Sequence, residues 1–169
     1  LCADKYLVRN YVKECGASEI LNTLYNVFDN TKEISWEKLP NQFVLKTTHG
    51  CGMNYICLDN KKVVKKDVMK MIDKWMKTDY GIKHGELHYS RINRRIICEK
   101  YLGDHHGNPP IDYKLYCFNG KVKVVLLVTE RMSHPKFIFV DNKWEPIDIG
   151  ISKFSGGKLP DKPLCFDEL

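Results

Sequence analysis

The stretch from Gln42 to Asn54 constrains this chain more than any other: Gln-Phe-Val-Leu-Lys-Thr-Thr-His-Gly-Cys-Gly-Met-Asn. A short apolar run, Phe43 to Leu45, reads as a strand that ends in Lys46 and opens into a loop holding Gly50 and Gly52. Glycine lets the backbone reach positive φ, so that successive N–H groups turn toward one anion. A lysine at the strand end adds a compact positive charge beside them. Strand, lysine and glycine loop is therefore one way to hold phosphate. The same residues also describe an ordinary hairpin turn, in which glycine is common for conformational reasons alone.

Composition narrows the choice. A chain of 169 residues is long enough for one domain with a core, or for two small lobes. With 43% hydrophobic and 28% charged residues it has the balance of a globular protein rather than a disordered one. Its longest aliphatic run, Val124 to Val128, is far too short to cross a bilayer. No charged-then-apolar leader precedes the first periodic segment, so no signal peptide is expected. The net charge of +6 suits an anionic partner such as a nucleotide, nucleic acid, acidic glycan or membrane surface, without choosing among them. Nucleic acid is not expected, because the basic residues are spread along the chain rather than gathered with stacked aromatics. The seven cysteines form no pair with a two-residue gap, and several sit in apolar runs, so they read as reduced thiols in a cytoplasmic protein.

Taken in order, Asp4 is placed to cap a helix with Leu7, Val8, Tyr11 and Val12 on one face and Gly16 as its stop. Residues 20–28 read as strand or loop. Ser35 to Leu39 suggests one helical turn capped by Ser35 and closed by Pro40. Tyr55 to Leu58 is a short strand, with a turn at Asp59-Asn60-Lys61. Lys65 to Met76 is the clearest helix, with Val64, Val68, Met71, Ile72, Trp75 and Met76 on one face and lysines and aspartates on the other. Residues 80–94 read as a mobile connection. Arg95 to Leu102 is a buried strand with a charged exit, followed by a turn-rich insert that contains His105 and His106. Asp112 to Phe118 and Val122 to Val128 pair across Asn119-Gly120, a strong type I′ hairpin signal. A second hairpin is expected at Lys136–Val140 and Lys143–Ile147, and the tail from Ser152 reads as loop. Hairpins outnumber helices in the second half, which favours α+β over a doubly wound sheet.

An ordered set of motifs gives a resemblance. They are Asp4-Lys5-Tyr6 with Arg9 and Tyr11-Val12, then Leu39-Pro40 with Phe43-Val44-Leu45-Lys46 and His49-Gly50. Glu99-Lys100-Tyr101-Leu102 follows, and then Asp112-Tyr113-Lys114 with Cys117-Phe118-Asn119-Gly120. In this order the chain resembles the ATP-grasp superfamily, and within it the group similar to the teichuronopeptide biosynthesis protein TupA. Members of that group are often labelled glycosyltransferases of cell-surface polysaccharide clusters.

The resemblance implies ATP held between two α+β lobes, here residues 1–98 with the phosphate flap and 99–169 as a second lobe incomplete at its C-terminal end. It places Lys46 on the α and β phosphates, Gly50, Gly52 and Asn54 in a flap over them, and Glu99, Lys100, Tyr101 and Leu102 at a hinge against the adenine edge. Asp112 would accept from the ribose hydroxyls, Lys114 would add positive charge near the phosphates, and Arg131 would face the transferred phosphoryl group. The implied reaction is the joining of a carboxylate, on an amino acid, uronic acid or glycan, to an amine through an acyl phosphate, with magnesium neutralising phosphate charge. The segment with Arg, Asp and Glu that holds magnesium in relatives has no counterpart before Leu169, so the metal ligands are expected outside a chain that is part of a longer protein. Two further classes stand beside this reading: a sugar-nucleotide glycosyltransferase and a noncatalytic nucleotide-binding module. The first commonly needs an Asp-x-Asp-like metal motif, whereas Asp141 and Asp148 are scattered. Residue by residue, Lys46 and Glu99 also fit plain surface charges. His105 and His106 fit exposed turn residues better than metal ligands. Cys51 has no evident base to make it a nucleophile. His49 fits a structural role in the flap, or a phosphate contact.

Overall fold

In the computed structural model, which describes residues 2–104, 108–130, 134–150 and 157–168, the chain forms two units, Leu1–Tyr101 and Leu102–Leu169. The first is built on strands β1 (Leu24–Phe28), β2 (Phe43–Thr47), β3 (Asn54–Cys57) and β4 (Ile96–Lys100). Their order is β1-β4-β2-β3 and every pairing is antiparallel. Helices α1 (Val8–Glu14), α2 (Lys65–Lys77) and α3 (Tyr80–His84) complete it.

The alternation of strand side chains decides where the core and the charged residues go. Phe43 and Leu45 of β2 and Ile96 and Cys98 of β4 bury one face of the sheet against Val68 and Ile72 of α2, with Phe28 and Trp36 at its edge. The opposite face carries Val44, Lys46, Ile97 and Glu99, since Val44 stands opposite Glu99 and Lys46 opposite Ile97. The β2 and β4 residues are almost all buried, as a central strand pair requires.

Several expectations are corrected. Residues 80–94 are not a bare connection: Asp79 caps α3 by accepting from Ile82 N at 3.1 Å and from Ser90 Oγ at 2.6 Å, and a 3-10 turn spans Leu87–Arg91. Val64 does not join the apolar face of α2; it is the residue before the first turn and lies exposed. Ser35 makes no side-chain cap on the 3-10 turn Trp36–Lys38, although its carbonyl accepts from Lys38 N at 2.9 Å. Asp4 does cap, accepting from Tyr6 N and Leu7 N at 2.8 and 3.0 Å, but regular helix begins only at Val8.

The second unit is a sheet of β5 (Asp112–Phe118), β6 (Lys121–Thr129) and β7 (Lys136–Asp141) in that order, again antiparallel. Asn119 and Gly120 both take positive φ, 50° and 73°, as a type I′ turn demands. Val125, Leu127, Ile138 and Val140 form the core with Trp144 and Phe166. The strand expected at Lys143–Ile147 does not form. Asp141 folds the chain into a tight turn by accepting from Lys143 N and Glu145 N at 2.8 and 2.9 Å, Trp144 takes a φ of 71°, and Pro146 has no N–H to give a ladder. A bridge between Val140 and Pro146 is what remains of the pairing. The tail instead docks on this unit, where Pro160 O accepts from Trp144 Nε1 at 3.1 Å and the Phe166 ring meets the indole edge-on.

Candidate functional site

Lys46 and Glu99 are diagonal neighbours on the charged face of the β2–β4 pair, close enough for their long side chains to meet. Lys46 Nζ lies 2.7 Å from Glu99 Oε2. Arg9, entering from α1, places Nη1 3.2 Å from Glu99 Oε1 and donates through Nη2 to Asn22 O at 2.6 Å. Glu99 is 7% exposed, and a carboxylate so buried must be matched by opposite charge. Two cations meet one carboxylate, so the group carries excess positive charge. An ammonium has three N–H donors, and Glu99 occupies one of those of Lys46. The others are available to a second acceptor.

The segment joining β2 to β3 begins as a buried stem: Thr47, Thr48 and His49 are all at most 1% exposed. Thr48 N donates to Arg95 O at 3.0 Å, while Thr48 Oγ1 accepts from Arg95 N at 3.0 Å and donates to Asn93 O at 2.8 Å. His49 Nε2 stands 3.1 Å from Trp75 O; a carbonyl only accepts, so Nε2 carries the proton. The buried Nδ1 has no protein partner among the described residues. Burial, with the cations Arg94 and Lys5 nearby, holds the imidazole below the usual histidine pKa.

Beyond the stem, the loop presents its amides. Among the described residues none accepts a hydrogen bond from the N–H groups of His49, Gly50, Cys51, Gly52 or Met53. Gly52 has the positive φ, 72°, that the sequence leads one to expect. Gly50 does not; there a Cβ would stand 2.4 Å from Met53 Cε and 2.7 Å from Tyr80 Cγ, so glycine is required by close packing. From the other side Lys5 Nζ donates to Thr47 O at 3.1 Å and to Gly50 O. Cys51, exposed at the loop tip, has its Sγ 3.3 Å from Tyr89 Oη, and that contact and burial push the Tyr89 phenol up to about 12.

The structure therefore brings Lys46, Gly50, Gly52, Asn54 and Glu99 into one β2–β3–β4 neighbourhood, with Asn54 exposed opposite Lys46 at the start of β3. Lys100 closes β4 with its backbone already engaged: its N–H donates to Thr23 O at 2.9 Å and its carbonyl accepts from Asn22 Nδ2 at 2.9 Å. Tyr101 is buried and Leu102 exposed. Asp112 and Lys114 belong to the second unit, two residues apart on one face of β5, with Lys114 exposed. Arg131, His105 and His106 lie outside the described residues. No group of three His, Cys, Asp or Glu suited to a metal ion occurs among the described residues. Sequence reasoning gave Lys5, Arg9, Tyr80 and Tyr89 no role. Lys5 and Arg9 stood in a recognised motif, but nothing in a linear pattern indicates that they reach residues 42 and 90 positions away.

Backbone N–H groups of residues 49–53 that no described residue accepts from, in a segment contacted by the Lys5 ammonium and following Lys46, are groups of the kind that can hold phosphate oxygens. The residues present therefore fit the polyphosphate of a nucleotide. The family model described as TupA-like ATPgrasp matches residues 1–168. No curated protein and no solved structure matches the chain. The chain belongs to the TupA-like ATP-grasp family, and the α+β architecture of two antiparallel sheets is consistent with it.

Proposed function

We propose that this TupA-like ATP-grasp protein binds the phosphates of ATP on the β2–β3 loop, as the nucleotide site of a ligase that joins a carboxylate to an amine. The observation that carries the phosphate reading is the run of amides from His49 to Met53, beside Lys46, that find no acceptor among the described residues. Lys46, fixed by Glu99 in a defined position, keeps N–H donors for phosphate oxygens. Glu99, neutralised by Arg9, holds the lysine without cancelling its charge. Gly52 lets the loop turn, and its tip at Cys51 and Gly52 is exposed. Bound ATP supplies the phosphoryl group that makes a carboxylate electrophilic toward the amine. What the protein contributes in this unit is position and positive charge, the two terms that dominate phosphoryl transfer.

The remaining assignments follow from the family alone. Lys100, Tyr101 and Leu102 are proposed for the adenine edge, Asp112 for ribose, Lys114 for phosphate charge and Arg131 for the transferred group. Magnesium, an amino acid, uronic acid or glycan substrate, a role in cell-surface polysaccharide synthesis, and a cytoplasmic location belong to the same proposal. No helix of the described residues is long and apolar enough to cross a membrane.

Calorimetric titration with Mg-ATP tests the reading. Binding is expected for the wild type, and Lys46→Ala should weaken it by tenfold or more, because a hydrogen bond to a charged group contributes about 1.5–3 kcal/mol. Wild-type protein that ignores ATP but binds a uridine sugar nucleotide would instead favour the transferase reading.

A further inference from the structure

We infer that Lys5 is the positioning residue of the β2–β3 loop, turning the Gly50–Cys51 peptide so that its N–H faces out toward the anion. The inference rests on the phosphate reading for what the anion is, and on geometry for the rest. The described peptide bonds are trans and planar, so the carbonyl and the N–H of one unit point in opposite directions. Lys5 Nζ takes two carbonyls of the loop, Thr47 O and Gly50 O. The Thr47–Thr48 unit shows the consequence directly: its carbonyl faces Lys5, and its N–H points the other way, onto Arg95 O at 3.0 Å. By the same rule the Gly50 carbonyl on Lys5 sends the Cys51 N–H away from Lys5, where no described residue accepts it.

The orientation is held from both ends. Asp4 folds the chain at Tyr6 and Leu7, and Arg9 anchors the following helix to Glu99, so the backbone that carries Lys5 is fixed. On the loop side Tyr80 and Met53 occupy the space a side chain at Gly50 would need. The Lys5 ammonium is half-buried, and burial lowers its pKa from the usual lysine value, with Lys46 adding to that and Cys51, Asp4 and Glu99 opposing it. Such a charge is explained by work done on the loop. It sits on the carbonyl side of the Gly50–Cys51 peptide, so its positive field adds to that of the Cys51 N–H on the opposite side.

The test compares wild type with Lys5→Met, which keeps the length and removes the donors, and with Lys13→Met on exposed α1 surface as a control. Two quantities are read: 15N order parameters of the Gly50, Cys51 and Gly52 amides without ligand, and Mg-ATP affinity. Lys5→Met is expected to lower those order parameters and to weaken ATP binding about tenfold, while Lys13→Met changes neither and Lys5→Arg recovers part of both. If Lys5→Met does not fold, as judged by circular dichroism, Lys5→Gln is read in the same way. Unchanged order parameters in a folded variant would overturn the inference. If the wild type does not bind ATP but Lys5→Met still loosens the loop, the phosphate reading fails and the positioning role of Lys5 stands.

Discussion

Gly50 and Gly52 are two residues apart, and they are glycine for different reasons. Gly52 needs a left-handed backbone and has open space around it, so Gly52→Ala is expected to cost about 1–2 kcal/mol of conformational strain. Gly50 has an ordinary φ but no room, so Gly50→Ala forces the Tyr80 ring and Met53 aside at about 1–3 kcal/mol. Chemical denaturation of both variants with and without Tyr80→Ala separates the causes: removing the ring should relieve part of the Gly50→Ala loss and none of the Gly52→Ala loss. Equal relief at both positions would refute this division. The sequence showed that both glycines matter, yet it offered positive φ as the reason for each. The steric reason at Gly50 comes from Tyr80, thirty positions on in the chain, and no local pattern contains it.

At the scale of elements, the loop is tied to the end of α2 through His49. Nε2 donates to Trp75 O in the last turn, a carbonyl that also accepts from Thr78 N at 3.0 Å, and Arg94 Nη1 donates to Met76 O beside it at 3.0 Å. A buried neutral histidine has its folded pKa below the unfolded value of about 6.5, so the unfolded chain binds more protons between the two. Stability is then complete above about pH 6.5 and falls as the pH drops from there toward the folded pKa. Thermal unfolding between pH 7.5 and 5.5 should show this decline, and His49→Gln should flatten it. An identical pH slope in the variant would contradict the role given to His49. The strands were legible as the continuous apolar runs Phe43–Leu45 and Ile96–Cys98, and the helix α2 by its strong period of 3.6 along Val68–Met76. The short helix α3 was missed because its evidence is one Asp79 cap and a glycine stop, with no apolar face long enough to register. The last hairpin was over-read, since Asp141 captures the amides of its own turn before a return strand can pair.

At the scale of the molecule, two antiparallel sheet units carry motifs whose order along the chain already pointed to the ATP-grasp superfamily, and the family match over residues 1–168 shows that membership. What linear reading could not supply is the electrostatic assembly in the first unit. Arg9, Lys46 and Glu99 come together because β2 and β4 are neighbours in register and α1 returns to their charged face, a consequence of topology rather than of any local motif. The central claim is that the amides of residues 49–53 receive phosphate. Amide chemical-shift titration of 15N-labelled protein with Mg-ATP, and separately with adenosine, tests it most directly. The account predicts large, saturable shifts at Gly50, Cys51 and Gly52 with ATP and not with adenosine. ATP binding that leaves those three amides unmoved would contradict it.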